Sequence, residues 1–375
     1  MNDDIKLTPN KKPRLQAKRT PKTFKERDDR LYPLYDKAEN ELSLRIDVLV
    51  ALFPLLIWSV YLYGFRPLVI TSLSAVLCLC LDVSARAILK IKCRFDLAPL
   101  ITGIIIAYGM PPSAPLWLPV FSAIVATVAT YIFGMKNSRI FDPIAISLTL
   151  CFLIFPYIMG AIPNANQAIS PFTFSPSDFK LAPKGALESV LSGFLPDAEP
   201  GILFFGLRSG MIGEVSTFLI VLGFIYLIYR RVAKPLTPVV FLLTVAAITY
   251  LKPSLTAASD SVAISGALYN LFDSNTALCS VYMLSFPSAS PKTTLGKVIA
   301  GAAGGAVTVG MRYYVRTDIS ALVGVLVINL LTPILDILFK PPVFGGDLKE
   351  GHSVENVNKE PTTEKEKENE QVIPS

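Results

Sequence analysis

The sequence predicts an all-α polytopic membrane protein of about ten transmembrane helices in two five-helix halves. Three observations predict it. Of 375 residues, 52% are apolar and 17% charged, and the mean hydropathy of +0.50 is well above that of a soluble domain. The apolar residues fall into ten runs, most of them long enough to cross a bilayer. Lys and Arg gather at alternate ends of those runs, as topology signals do.

The first five runs are Ile46 to Gly64, Pro67 to Leu89, Leu97 to Met110, Leu116 to Phe133 and Pro143 to Gly160. The third is short, and Pro111 and Pro112 end it because neither ring can continue a helix. A polar, proline-rich stretch follows to residue 209, too long for a tight connection and too hydrophilic to cross the membrane. The second five are Gly213 to Tyr229, Pro235 to Leu251, Val262 to Phe286, Leu295 to Tyr314 and Ile319 to Phe339. Their third member carries Asp273, Ser274 and Asn275 in mid-span, so a broken helix is expected there.

The resulting organisation is a basic N-terminal tail (1–43), a first half (44–160), an extracytoplasmic loop (161–209), a second half (210–344) and a charged tail (345–375). Lys6 to Lys25 is basic and free of acids, the last segment is rich in Glu and Lys, and neither composition supports a packed core. The first 40 or so residues lack the apolar run and cleavage site of a secretory signal, so the N-terminus is expected to be retained.

Orientation follows from the short loops. Arg86, Lys90, Lys92, Arg94, Lys136, Arg139, Arg230, Arg231, Lys234, Lys292, Lys297 and Lys340 fall on one side; Arg66, Lys252, Arg312 and Arg316 fall on the other. That asymmetry puts both termini in the cytoplasm of a bacterium with the chain in its inner membrane. Five spans per half is an odd number, so related halves would insert in opposite senses as an inverted repeat with broken third helices. A ligand or ion would then pass where the breaks meet.

Composition also excludes. The net charge of +6 comes from residues flanking apolar spans, with no basic stripe on a soluble domain, so no nucleic-acid partner is expected. Five cysteines without a C-x-x-C indicate neither a disulfide framework nor a metal site. The single histidine, His352, lies in the tail, which removes the usual haem ligand and general base.

Asp82, Asp142, Glu214, Asp273 and Asp336 are carboxylates in or at the edges of apolar spans, where a charge is expensive and marks function by default. The bland reading stands beside that one: Asp82, Asp142 and Glu214 sit near predicted interfaces, where water or a loop arginine can satisfy them. Gly301 and Gly305 form a G-x-x-x-G whose ordinary role is close helix packing.

APLITGIIIAYGMPPSAPLWLPV from Ala98 and IFGMKNSRIFDPIAIS from Ile132 resemble the family that holds the D subunit of the Rnf electron-transport complex and the homologous B subunit of the sodium-pumping NADH:quinone reductase. Phe133, Gly134, Phe141 and Pro143 match its F-G-G-x-x-x-N-x-F-N-P run, with Asp142 in place of the asparagine. SGMIGEVSTFLIVLGFIYLIYRR from Ser209 resembles the family's G-x-I-G-E-x-S helix through Gly210, Ile212, Gly213, Glu214 and Ser216. SFPSASPKTTLGKVIAG from Ser285 resembles T-D-P-V-T-S-P and its following helix, keeping Pro287, Ser290, Pro291, Gly296 and Gly301 but placing Phe286 at the aspartate. Arg312, Asn329, Pro333 and Asp336 match the closing helices.

The resemblance implies a membrane component of an ion-translocating electron-transport complex of the ferredoxin/NAD oxidoreductase type, not catalytic alone. Its implied partners are the other membrane and peripheral subunits and the bilayer. Asp142, Pro143, Glu214, Asp273, Pro287, Pro291, Arg312, Asn329 and Asp336 are the candidates for an ion path or for structural motifs.

The family also carries FMN, as a phosphoester on the threonine of a D-x-x-S/T-G-A-T motif. Here SVLSGFLP keeps Ser192 and Gly193 but has Leu195 at the acceptor and Ser189 at the aspartate. Leucine has no hydroxyl, so covalent FMN is expected to be absent, while a noncovalent flavin stays open. The alternative reading is a divergent paralogue that works as a permease for a small solute or ion without a redox role.

Overall fold

The computed structural model describes residues 37–90, 96–134, 141–164, 200–206, 209–251, 260–272, 274–285, 290–315 and 319–339. The first half holds α1 (Lys37–Tyr63), α2 (Arg66–Ile88), α3 (Ala98–Tyr108), α4 (Trp117–Gly134), α5 (Pro143–Ile154) and a short α6 (Pro156–Met159). The second holds α7 (Pro200–Phe205), α8 (Thr217–Tyr229), α9 (Leu236–Leu251), α10 (Asp260–Leu271) and α11 (Ser274–Leu278), which runs into a π turn at Cys279–Met283. It closes with α12 (Thr294–Gly310), its π turn Met311–Val315, and α13 (Ser320–Leu338). The chain is all-helical and polytopic.

Among the described residues, four helical segments are long and apolar enough to cross a membrane: Leu42–Tyr63, Arg66–Ile88, Thr294–Val315 and Ser320–Leu338. Five shorter apolar helices accompany them. Large apolar side chains such as Phe53, Ile57 and Tyr61 on α1 and Ile337 and Leu338 on α13 face outward, as a lipid solvent permits.

Three boundaries bear on the sequence reading. The fifth run is two helices, because Pro156 lacks the N–H that would continue α5 and the chain turns at Phe155. The G-x-I-G-E-x-S segment is a turn rather than part of a helix: α8 begins at Thr217, where the Ser216 hydroxyl caps the Leu219 N–H at 3.3 Å. In the eighth run, α10 ends at Leu271 and α11 starts at Ser274, so the break falls at the polar cluster as expected.

The two halves pack in the same order. In the first, α2 packs on α3 and α4, and α4 on α5; in the second, α9 packs on α10 and α12, and α12 on α13. The halves meet through α1 on α8 and α5 on α13. Small residues permit close crossings: a Cβ on Gly305 would stand 2.9 Å from the Phe241 carbonyl oxygen, and one on Gly301 3.0 Å from that of Thr237. The G-x-x-x-G face of α12 therefore lies directly against the backbone of α9.

Candidate functional site

The centre of the molecule is where the third elements of both halves reach α1. Pro54 removes an N–H from the middle of α1 and so weakens the helical ladder around it. Tyr108, the last residue of α3, donates its hydroxyl to the Leu52 carbonyl at 2.7 Å. Tyr282, in the π turn after α11, donates to the Ala51 carbonyl at 3.1 Å. Both rings are fully buried, and in a dry interior each hydroxyl needs such an acceptor.

Two family motifs converge on the same place. The Ile212 N–H donates to the Met110 carbonyl and the Gly213 N–H to the Tyr108 carbonyl, each at 2.9 Å. Gly213 has to be glycine because a Cβ there would overlap the Tyr108 side chain. Tyr63 ties down the neighbouring residue: its hydroxyl accepts from the Gly210 N–H at 3.0 Å.

Arg66, counted from the sequence as a loop charge, is buried. Its Nε donates to the Pro112 carbonyl at 2.8 Å and its Nη2 to the Ala114 carbonyl at 2.7 Å. It thus satisfies the non-helical backbone that two prolines leave after α3.

Arg312 does the corresponding work in the second half. From the π turn after α12, its Nη1 donates to Asn270 Oδ1 at 3.0 Å and its Nη2 to Thr276 Oγ1 at 2.7 Å. Asn270 lies in the last turn of α10 and Thr276 in the first turn of α11, so one guanidinium spans the break. The C-terminal end of α10 is also the negative end of its dipole, which favours a cation there.

The other candidates are dispersed. Asp142 is the N-cap of α5, accepting from the Ile144 N–H at 3.0 Å, with Pro143 in the first helical position. Asp336, on α13, accepts from the Lys292 N–H at 2.8 Å and so fixes the segment holding buried Pro291 ahead of α12. Glu214 is buried in the turn before α8, and Asn329 is buried on α13. Asp273, Pro287, Ser192, Gly193 and Leu195 lie outside the described residues. Among the described residues no group of three or more His, Cys, Asp or Glu is placed to hold a metal ion. At the acceptor position of the degenerate FMN motif Leu195 offers no oxygen for a phosphoester.

A second polar centre lies in the first half. Arg86 Nε pairs with Asp82 Oδ2 at 2.7 Å, and its Nη2 stands 3.7 Å from Asp96 Oδ2. Tyr131 on α4 donates to Asp82 Oδ1 at 2.9 Å, and Arg45 on α1 pairs with Asp96. The Asp96 carboxylate also accepts from the Ala98 N–H at 2.7 Å, opening α3. Asp82, Arg86 and Asp96, with Cys78, Thr102, Thr127 and Thr130, line a partly open pocket of about 50 Å³.

Between the halves, Asp47 on α1 accepts from the Tyr226 hydroxyl and from Arg230 Nε, each at 3.0 Å. The hydrogen bond and charge of Asp47 hold the Arg230 guanidinium above its ordinary pKa.

Sequence reasoning singles out Asp82 but misses its arginine partner, as it misses Asp47 and Asp96. One signal is present, because Asp82 and Arg86 are four apart on a helix face. Asp47 and Asp96 give none, since their partners are distant in sequence.

An all-helical bundle whose two parts pack in like order, with one buried arginine at the end of α3 and another across the α10–α11 break, defines a polytopic membrane protein. The chain belongs to the NQR2, RnfD, RnfE family, which it matches over residues 32–345. It is 27% identical over 331 residues to the D subunit of the ion-translocating oxidoreductase complex of Halorhodospira halophila, covering 81% of this chain and 91% of the relative. It is 22% identical over 307 residues to the D subunit of the Na(+)-translocating ferredoxin:NAD(+) oxidoreductase complex of Acetobacterium woodii, covering 81% and 90%. The proton-translocating counterpart of Clostridium ljungdahlii is 25% identical over 317 residues, covering 82% and 92%.

Proposed function

We propose that this chain is the D-type membrane component of an Rnf-like complex that couples electron transfer between ferredoxin and NAD to movement of sodium or protons. Family membership over residues 32–345 carries this reading. Buried Arg66 and Arg312 support it, because charge retained at broken elements inside an apolar bundle is costly and marks a pathway or its frame. The other membrane and peripheral subunits are its partners, the inner membrane its location, and both termini are cytoplasmic. The redox centres belong to those partners, and this chain carries no covalent FMN.

A tagged chain purified from its native membrane tests this reading. Co-purification of the other subunits, with loss of ferredoxin-dependent NAD reduction in vesicles lacking the gene, is the expected result. Normal reduction without the gene would overturn it and favour a permease. Flavin fluorescence that stays on the denatured polypeptide would overturn the FMN statement alone.

A further inference from the structure

We propose that the Arg45–Asp96–Arg86–Asp82–Tyr131 network is an ion-pair lock at the mouth of a partly open, hydrated pocket in the first half and controls how far water from the adjoining aqueous face reaches into it. This goes beyond the proposed function, because it concerns water access and holds whichever reaction the complex performs.

The pocket is built to hold water. Its volume of about 50 Å³ suits roughly three water molecules at about 15 Å³ each. Thr102, Thr127 and Thr130 line it, and each hydroxyl already donates to the carbonyl four residues back, at 3.0, 2.8 and 2.8 Å. Their protons are committed, so they present acceptor lone pairs inward, and water supplies the missing donors. An apolar cavity of that size would stay dry; this one is polar on several sides.

The lock is built to move. Arg86 stands between two carboxylates, with a close contact to Asp82 at 2.7 Å and a looser one to Asp96 at 3.7 Å. Arg45 shares Asp96, so α1, α2, α4 and the start of α3 are joined by one alternating row of charges whose formal sum is zero. The side chains keep between 11% and 27% of their surface exposed, so water and salt reach them from the face that bears Arg86 and Asp96. Pairs that keep this much exposure are screened by salt in part, less than fully exposed ones. Cys78, on α2, is 2% exposed and lines the pocket, which makes it a native reporter of opening.

The experiment alkylates the purified full-length chain, in its complex, with a charged maleimide and follows Cys78 by peptide mass spectrometry. Buried Cys151, which is not a lining residue, is the internal reference. Arg86→Gln is expected to raise the Cys78 rate on the order of tenfold relative to Cys151, and Arg86→Lys to restore most of the protection. Arg230→Gln, which breaks the unrelated pair with Asp47, is expected to leave the rate unchanged. Should Arg86→Gln fail to assemble, the wild type decides: raising salt to about 1 M, where screening acts within about 3 Å, should accelerate Cys78 severalfold and spare Cys151. A Cys78 rate indifferent both to the substitution and to salt, whether fast or slow, would overturn the proposal.

Discussion

Tyr108 and Tyr282, one from the third element of each half, donate their hydroxyls to successive carbonyls of a single helix, those of Leu52 and Ala51. Two distant parts of the chain are thereby referred to the same point on α1, just ahead of Pro54. Tyr108→Phe and Tyr282→Phe should each cost about 1 kcal/mol, the usual worth of a buried hydroxyl bond inside a membrane bundle. Thermal unfolding of the detergent-solubilised chain measures it. A double variant that loses clearly more or less than the sum would show that the two bonds act together.

Gly213→Ala should be severe and Gly210→Ala mild. A Cβ at Gly213 overlaps Tyr108, where the two backbones are held by a 2.9 Å hydrogen bond, while at Gly210 the nearest atom is 3.6 Å away. The expected cost at Gly213 is about 3 kcal/mol or more, seen as loss of yield or of a cooperative melt.

Arg312→Gln should destabilise by about 3 kcal/mol, because it removes the cation that joins the two sides of the break and leaves buried acceptors behind. Arg312→Lys is expected to rescue little. A single ammonium cannot reproduce the fork that reaches both Asn270 and Thr276. Recovery of folded protein after mild heating distinguishes the three forms.

Asp142→Ser should keep both stability and ion flux, since serine caps a helix as well as aspartate, whereas Asp142→Ala should lose about 1 kcal/mol. Flux measured in vesicles separates a cap from an ion ligand: a drop in Asp142→Ser at unchanged stability would assign the carboxylate to the path.

The sequence is most legible where the cause is local. Pro111 and Pro112 end α3, and the cluster at Asp273, Ser274 and Asn275 falls where α10 gives way to α11. Motifs find Asp336 and Arg312, but not what they hold: the Lys292 N–H is 44 residues from Asp336, and Asn270 is 42 from Arg312. Arg66 escapes a sequence reading because a basic residue at the end of an apolar run looks the same whether it faces water or the carbonyls of Pro112 and Ala114.

By itself the sequence determined that the chain is helical, lives in a membrane, has a short third helix in its first half and a broken one in its second, and belongs with the NQR2, RnfD, RnfE family. Those follow from hydropathy, proline chemistry and short motifs, all properties of neighbouring residues. Only the tertiary structure decided which charges are buried, that Asp82, Arg86, Asp96 and Arg45 form one row at a partly open pocket, and that both halves lean on the Pro54 segment of α1. In a bundle that is apolar nearly all round, the helix pattern does not say which face meets which, and polar partners are chosen by packing rather than by spacing.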